Sequence, residues 1–327
     1  MRLNVVDFLR GYSIFTIVVM HLRWGFAMPN ILENAFSFGG AGVHVFILVS
    51  GFGLCLSQIN KPLGYFQFLK RRFTKVYVPY MIIIAISALI PFMYSGDRFI
   101  AFLSHAFLFK MFDNNLMSSF GAQFWFVSMI ISFYLVFPLL YKVLIKIKWR
   151  GVIYAFIVSL LWATIVGLLG KSELRIWNSF FLQYLGEFML GMMLAVKYKA
   201  NPEFIKVPSK WLLVFLAMTG MAITGYTGIK GGMLKLYNDI PSLVGYLSFA
   251  LLIYSFRIKW INGFFTYTNR FSYEWYLIHM LVFVCVFYFF GKSYPVAVVA
   301  LVLSYGLAIG YNRILKLVFY DRKSKNI

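Results

Sequence analysis

The chain has 327 residues, of which 61% are hydrophobic and 13% are charged. Soluble domains carry about 25% charged residues, so this composition excludes a water-soluble globule and indicates a polytopic membrane protein. The formal net charge is +21. Its placement argues against nucleic acid as a partner, because the basic residues gather in the loops between apolar stretches.

Ten apolar stretches of about twenty residues predict ten transmembrane helices and an all-α fold. Because they are apolar throughout rather than alternating, they favour helices over barrel strands. Basic residues concentrate on one alternating set of loops, so the positive-inside rule places both termini in the cytoplasm. The stretches cover residues 7–26, 38–57, 76–95, 122–145, 151–169, 177–197, 211–228, 240–256, 270–290 and 294–318.

Short loops predict that 1–327 form a single membrane domain without an appended soluble domain. The first stretch is expected to remain in the protein, because Asp7 and Arg10 interrupt it and no cleavage site follows. The longest connection, roughly 96–121, contains an apolar run over 99–109 that predicts an interfacial or re-entrant helix. His105 in this run is expected at the surface, at the level of the lipid headgroups.

Arg10 and His21 lie eleven residues apart within the first predicted helix. Eleven steps of about 100° end roughly 20° beyond three full turns, so both side chains leave one face, separated by a rise of about 16 Å. A charge and an imidazole on one stripe are costly in a bilayer and predict a polar cavity. The alternative for Arg10 is a simple ion pair with Asp7, three residues away.

His44 lies in the glycine-rich start of the second predicted helix, at a depth similar to that of His21. The two histidines are therefore expected to face one another. An imidazole is well suited to remove a proton from a hydroxyl near neutral pH. Cys55 and Cys285 lie in apolar stretches and give neither a disulfide framework nor a zinc pattern.

Two further helices carry polar residues. Ser272, Tyr276 and His279 are spaced by four and three residues and share a face, which binds a substrate or bridges helices. Glu187 is followed one turn later by Gly191, and this spacing favours an interhelical hydrogen bond to the carboxylate.

The run Lys70, Arg71, Arg72 and Lys75 precedes the third predicted helix on its cytoplasmic side. One interpretation is attraction to lipid headgroups. The other is a clamp for a phosphorylated cytosolic ligand, because a guanidinium group binds phosphate with two hydrogen bonds.

Several sequence patterns occur together in this chain. They are Arg10 and His21 with ten residues between them; Ser50-Gly-Phe in the second helix; the basic run with Pro79-Tyr80; Gln123-Phe-Trp125-Phe followed by Phe133-Tyr134 and Pro138; and Ser272-Tyr-Glu-Trp-Tyr276-Leu-Ile-His279. Together they resemble the acyltransferase family 3 membrane proteins, which transfer acetyl or related groups to sugars of cell-envelope polymers. The resemblance covers approximately residues 4 to 315.

The chain departs from the family pattern in two respects. Lys75 stands where family members often place a second arginine, which weakens a fully bidentate clamp. Many relatives also carry an appended hydrolase-like domain, so this protein is expected to act alone or with a separate envelope-synthesis partner.

The resemblance implies acyl-CoA, most simply acetyl-CoA, as donor, no metal, and an envelope saccharide or lipid-linked glycan as acceptor. Under this hypothesis Arg71, Arg72 and Lys75 bind the coenzyme and Arg10 orients it. His21, assisted by His44, acts as general base. The side chains expected to contact substrate are Trp125, Glu187, Tyr276 and His279.

The expected location is the inner membrane, among lipids, with no nucleic acid as partner. Two other functions stay open. One is a secondary transporter or lipid-linked sugar flippase that uses Asp7, Arg10, Glu187 and Glu274 as coupling charges. The other is a structural partner in an envelope-synthesis complex. The choice of acetyl or succinyl, and of direct transfer or a covalent acyl-enzyme, is also open at this point.

Overall fold

A computed structural model describes residues 3–23, 26 and 29–320, and the described part of the chain contains helices and no strand. Its helices are α1 (Asn4–Leu22), α2 (Asn30–Ser37), α3 (Gly42–Asn60), α4 (Tyr65–Leu89), α5 (Arg98–Ala106), α6 (Trp125–Ile147), α7 (Trp149–Leu168), α8 (Arg175–Asn178), α9 (Leu185–Ala200), α10 (Lys210–Lys230), α11 (Gly232–Leu236), α12 (Asp239–Ser255), α13 (Lys259–Thr268), α14 (Ser272–Phe290) and α15 (Tyr294–Leu315).

In the described ranges, nine helical segments are long and apolar enough to cross a membrane. One of them, Lys259–Phe290, comprises α13 and α14 joined by a short 3₁₀ turn. The remaining predicted stretch, 240–256, is α12, an apolar helix of 17 residues that is shorter than the nine segments. The prediction of an all-α polytopic membrane protein is confirmed.

The first helix lies in the interior of the bundle. Of the 18 consecutive residues that make the α1 segment apolar enough to span, 56% are buried, against 22% of the corresponding 18 in the segment of α15. Two glycines allow neighbours to approach closely: a Cβ on Gly11 would lie 1.8 Å from the carbonyl oxygen of Phe265, and one on Gly39 would lie 2.3 Å from that of Thr16. Neighbouring segments therefore pack closely around α1.

Helices α3 and α9 also meet backbone to backbone. A Cβ on Gly191 would lie 1.9 Å from the carbonyl oxygen of Leu48, and one on Gly51 would lie 2.2 Å from that of Phe188. The close approach predicted at Gly191 is confirmed, and it sets Glu187 directly beside α3.

The predicted short helix between the third and fourth spans is α5. Asp97 caps it by accepting hydrogen bonds from the backbone N–H groups of Phe99 and Ile100 at 2.9 and 3.0 Å. The surface position expected for His105 is wrong, since this residue is 0% exposed. The loop after α5 folds back over the imidazole, which bonds Tyr80 and Ser119 instead of facing the headgroups.

Candidate functional site

A cavity of about 1050 Å³ lies beside α1, and both Arg10 and His21 line it. One end, the basic end, is lined by Arg71, Arg72, Lys75, Arg270 and Lys316. The far end is lined by Arg23, Glu173, Arg175, Lys235 and Asp239. The polar stripe of α1 thus runs along a cavity, as the spacing of its two residues predicts.

Positive charge is neutralised differently at the two ends. At the far end, Arg23 and Glu33 lie 4.0 Å apart and Lys235 and Glu173 lie 3.2 Å apart. Among the described residues that line the basic end, the five cations share the cavity with one carboxylate, Glu274. The excess positive charge at this end suits a polyanionic ligand.

Arg10 is attached to the second spanning segment. Its Nη2 donates to the carbonyl oxygen of Val49 at 3.0 Å, and a Cβ on Gly53 would lie 3.1 Å from that nitrogen. Asp7 accepts a hydrogen bond from Asn269 Nδ2 at 2.8 Å. The alternative of a simple Asp7–Arg10 ion pair therefore does not hold, because each side chain bonds a different helix.

His21 bonds a histidine, but not the one expected. Its Nδ1 lies 2.9 Å from Nε2 of His279, and Nδ1 of His279 lies 3.0 Å from the carbonyl oxygen of Trp275. A carbonyl only accepts, so Nδ1 of neutral His279 carries the hydrogen and its Nε2 accepts from Nδ1–H of His21. In neutral His21 the basic lone pair is then on Nε2.

His44 belongs to a separate cluster, so the expectation that it faces His21 is wrong. Its Nδ1 lies 2.7 Å from Oε1 of Glu187, and its Nε2 lies 3.9 Å from Oδ1 of Asp239. Gln183 donates to Oδ2 of the same aspartate at 2.5 Å. The close approach of α9 to α3 brings Glu187 to His44, and this contact replaces the predicted histidine pair.

Sequence reasoning missed Asp239 and Gln183. Asp239 begins α12 at the edge of an apolar stretch, where an acidic residue is ordinarily assigned to a loop. Gln183 lies inside the predicted stretch 177–197, in the turn before α9, without any pattern of its own. The packing of α12 against α3 brings Asp239 to His44, and Gln183, in the turn before α9, reaches the cluster through its hydrogen bond to Asp239.

Aromatic side chains line the cavity next to its far end. The Trp125 and Tyr184 rings stack with centroids 6.3 Å apart, and the guanidinium of Arg175 lies 5.4 Å from the Trp125 centroid. Tyr276 donates to the carbonyl oxygen of Gln123 at 2.5 Å. Of the residues expected to contact substrate, Trp125 and Tyr276 line the cavity, whereas His279 and Glu187 lie behind His21 and His44.

A buried lysine was also missed. Lys110 is 1% exposed and donates to the carbonyl oxygens of Ser119 and Gly121, both at 2.7 Å. Burial lowers the pKa of Lys110 well below its ordinary value. Burial and then the neighbouring Lys110 lower the pKa of His105. The sequence alone does not indicate these partners. Ser119 and Gly121 come within reach of Lys110 only when the 107–121 loop is folded.

The helices and the cavity along α1 define a polytopic membrane protein with a polar site inside its helical bundle. Residues 3–313 match the family model described as an acyltransferase domain. The chain therefore belongs to the acyltransferase 3 family, as the sequence resemblance indicates, and is a membrane acyltransferase. Searches of curated proteins and of solved structures found no match.

Proposed function

We propose that this protein transfers an acyl group, most simply acetyl, from acyl-CoA to a hydroxyl of an envelope saccharide or lipid-linked glycan. His21 is the general base. The observation that supports this proposal best is the hydrogen bond between His21 and His279, made beside the same cavity whose other end is lined by five cations.

The basic end is suited to the phosphate groups of coenzyme A. Arg71, Arg72 and Lys75 follow one another on α4, and all three line the cavity. Nε of Arg72 is buried and has no hydrogen-bond partner within the described part of the chain. Guanidinium groups hold phosphate oxygens with paired, charge-assisted hydrogen bonds, so an incoming phosphate would satisfy this donor.

The spacing of the two cavity-lining residues of α1 also suits the donor. In coenzyme A the pantetheine arm joins the diphosphate to the thioester, and about twelve single bonds in an extended chain span about 14 Å. Arg10 and His21 are separated by a rise of about 16 Å. A diphosphate between Arg10 and Arg72 would therefore place the thioester near His21.

The proposed chemistry is direct transfer. Nε2 of His21 takes the proton of the acceptor hydroxyl, and the oxygen attacks the thioester carbonyl carbon. The tetrahedral intermediate collapses, the carbon–sulfur bond breaks, and the imidazolium returns the proton to the coenzyme thiolate. His279 orients His21 through its Nδ1, so its proposed role is positioning rather than substrate contact.

The acceptor would occupy the far end. Trp125 and Tyr184 offer aromatic faces to a sugar ring, and Asp239 offers a carboxylate to its hydroxyls. His44 is bonded to Glu187 at 2.7 Å. The proposed role of His44 is therefore to hold Glu187 and Asp239 in place, and His21 removes the proton. The setting would be the inner membrane, with the basic end toward cytosolic acyl-CoA.

The test uses purified protein in lipid vesicles with radiolabelled acetyl-CoA and candidate lipid-linked saccharides. We expect label to enter the saccharide with wild-type protein and to be lost by a factor of about 10²–10⁴ in His21→Ala. Transfer unchanged by this substitution would overturn the assignment of the base. Uptake of saccharide into vesicles without acyl transfer would instead support a transporter.

A further inference from the structure

Gln123 stands at the start of the fourth long span and lines the cavity. Its side chain is 3% exposed, and neither Nε2 nor Oε1 has a hydrogen-bond partner in the described part of the chain. A buried amide with two unmet hydrogen-bonding groups is costly and calls for a ligand or another specific reason.

The backbone next to Gln123 makes room for this amide. Gly121 has φ +136°, in the region that favours glycine. A Cβ there would lie 2.5 Å from Oε1 and 2.9 Å from Nε2 of Gln123. Any other residue at position 121 would displace the amide, so the loop is shaped around the side chain of Gln123.

A buried polar cluster holds the same loop. Lys110 Nζ donates to the carbonyl oxygens of Ser119 and Gly121 at 2.7 Å each. Nε2 of His105 lies 3.0 Å from Oγ of Ser119, while its Nδ1 lies 2.5 Å from the hydroxyl of Tyr80. These bonds connect the loop to α4 and α5. They thereby fix the backbone just before Gln123.

Gln123 is also connected to the proposed base. The hydroxyl of Tyr276 donates to the carbonyl oxygen of Gln123 at 2.5 Å. The Tyr276 ring lies 6.2 Å, between centroids, from the ring of His279, which bonds His21 at 2.9 Å. Gln123 is therefore near the level of His21, where the proposed function puts the thioester, and Arg10 is about 16 Å from His21 along α1.

We propose that Gln123 is a catalytic residue whose amide N–H donates a hydrogen bond to the thioester carbonyl oxygen. This inference rests on the proposed acyl transfer. When the acceptor oxygen attacks, the carbonyl π electrons move onto that oxygen, and the hydrogen bond from Nε2 stabilises the oxyanion until the carbon–sulfur bond breaks. Rotation about the soft terminal torsion of glutamine turns the amide from Gly121 toward the bound thioester.

The experiment compares Gln123→Met and Gln123→Glu with wild type, and uses Gln67→Met, at an exposed glutamine of α4, as the matched control. Purified proteins are assayed for acetyl transfer, acetyl-CoA binding and melting temperature. We expect kcat to fall by about 10²–10³-fold in both Gln123 variants. Acetyl-CoA affinity should stay near the wild-type value, and the control should be unchanged.

The melting temperature separates catalysis from folding. Because the amide bonds no protein group through its side chain, Gln123→Met should melt at or above the wild-type temperature. Three results would each overturn the inference. They are a kcat close to wild type, a clear drop in melting temperature that accounts for the lost activity, and a raised KM for the acceptor alone. If wild type transfers no acyl group, the proposed function itself fails; if His21→Ala abolishes transfer and Gln123→Met does not, only the role of Gln123 fails.

Discussion

Nδ1 of His21 and Nε2 of His279 lie 2.9 Å apart, although 258 positions separate the two residues in the chain. The bond joins α1 to α14 in the protein interior, where hydrogen bonds are not in competition with bulk water. Because Nδ1–H of His279 donates to the carbonyl oxygen of Trp275, the hydrogen bond between the two histidines has a defined direction: His21 donates and His279 accepts.

This direction predicts the behaviour of His279 variants. His279→Ala removes the acceptor for Nδ1–H of His21 and should lower kcat by about tenfold or more, short of the 10²–10⁴-fold loss expected when the base itself is removed. His279→Gln keeps an acceptor oxygen and should restore part of the rate. Steady-state kinetics should show the loss in kcat, with KM for both substrates little changed. Equal activity of the Ala and Gln variants would contradict a role through His21.

Removing one cation from the basic end should weaken donor binding. Arg72→Gln should raise KM for acetyl-CoA about tenfold, because a charge-assisted bond to a phosphate is worth roughly 1.5–3 kcal/mol. Lys70→Gln is the matched control, since Lys70 belongs to the same run and is absent from the cavity wall. Binding titrations with acetyl-CoA at two salt concentrations measure the effect. If both variants bind alike, the basic end does not hold the coenzyme.

The close approach of α3 and α9 predicts a stability effect. Gly191→Ala places a Cβ 1.9 Å from the carbonyl oxygen of Leu48 and forces the helices apart. We expect a loss of about 1–3 kcal/mol, seen as a lower melting temperature. In Gly225→Ala the added Cβ meets nothing within 4 Å, so the melting temperature should not fall. Equal melting temperatures for the two variants would contradict the backbone contact.

The loop cluster predicts a pH dependence of stability. Burial, and secondly Lys110, lower the pKa of His105 below its ordinary value of about 6.5. As pH falls through about 6.5 the unfolded chain therefore takes up a proton that the folded protein does not, and stability decreases by at most about 1.4 kcal/mol per pH unit.

The matched variant is His105→Gln, which keeps polar atoms near Tyr80 and Ser119 but does not titrate. Its melting temperature should decline less than that of wild type between about pH 7.5 and pH 5.5. Parallel declines for the two proteins would show that His105 does not carry this dependence.

Much of the fold followed from periodicity and composition. Continuous apolar stretches predicted the spanning helices, and Gly191 predicted the contact of α9 with a neighbour. Arg10 and His21 were placed on one cavity wall by helical geometry alone, because residues of a single helix keep a fixed angular relation.

Side-chain partners on different helices were harder to predict. His44 was expected opposite His21, since sequence gives depth along each helix but not which helices are neighbours. Packing instead brought Glu187 to His44 and His279 to His21. Gln123 begins one of the patterns that carry the family resemblance, but nothing in the sequence indicates that its amide is unpartnered. Lys110 gave no sequence signal at all, because its bonds to the loop carbonyls exist only once the loop has folded.

The central claim is that α1 connects a donor-binding end to a reacting end. Acetyl-CoA binding and acetyl transfer, measured side by side in purified His21→Ala and Arg72→Gln proteins, test it most directly. We expect His21→Ala to bind acetyl-CoA like wild type, while transfer falls by about 10²–10⁴-fold. Arg72→Gln should show the reverse, with weaker binding and near-normal transfer at saturating acetyl-CoA. Loss of coenzyme binding in His21→Ala together with unchanged binding in Arg72→Gln would contradict it.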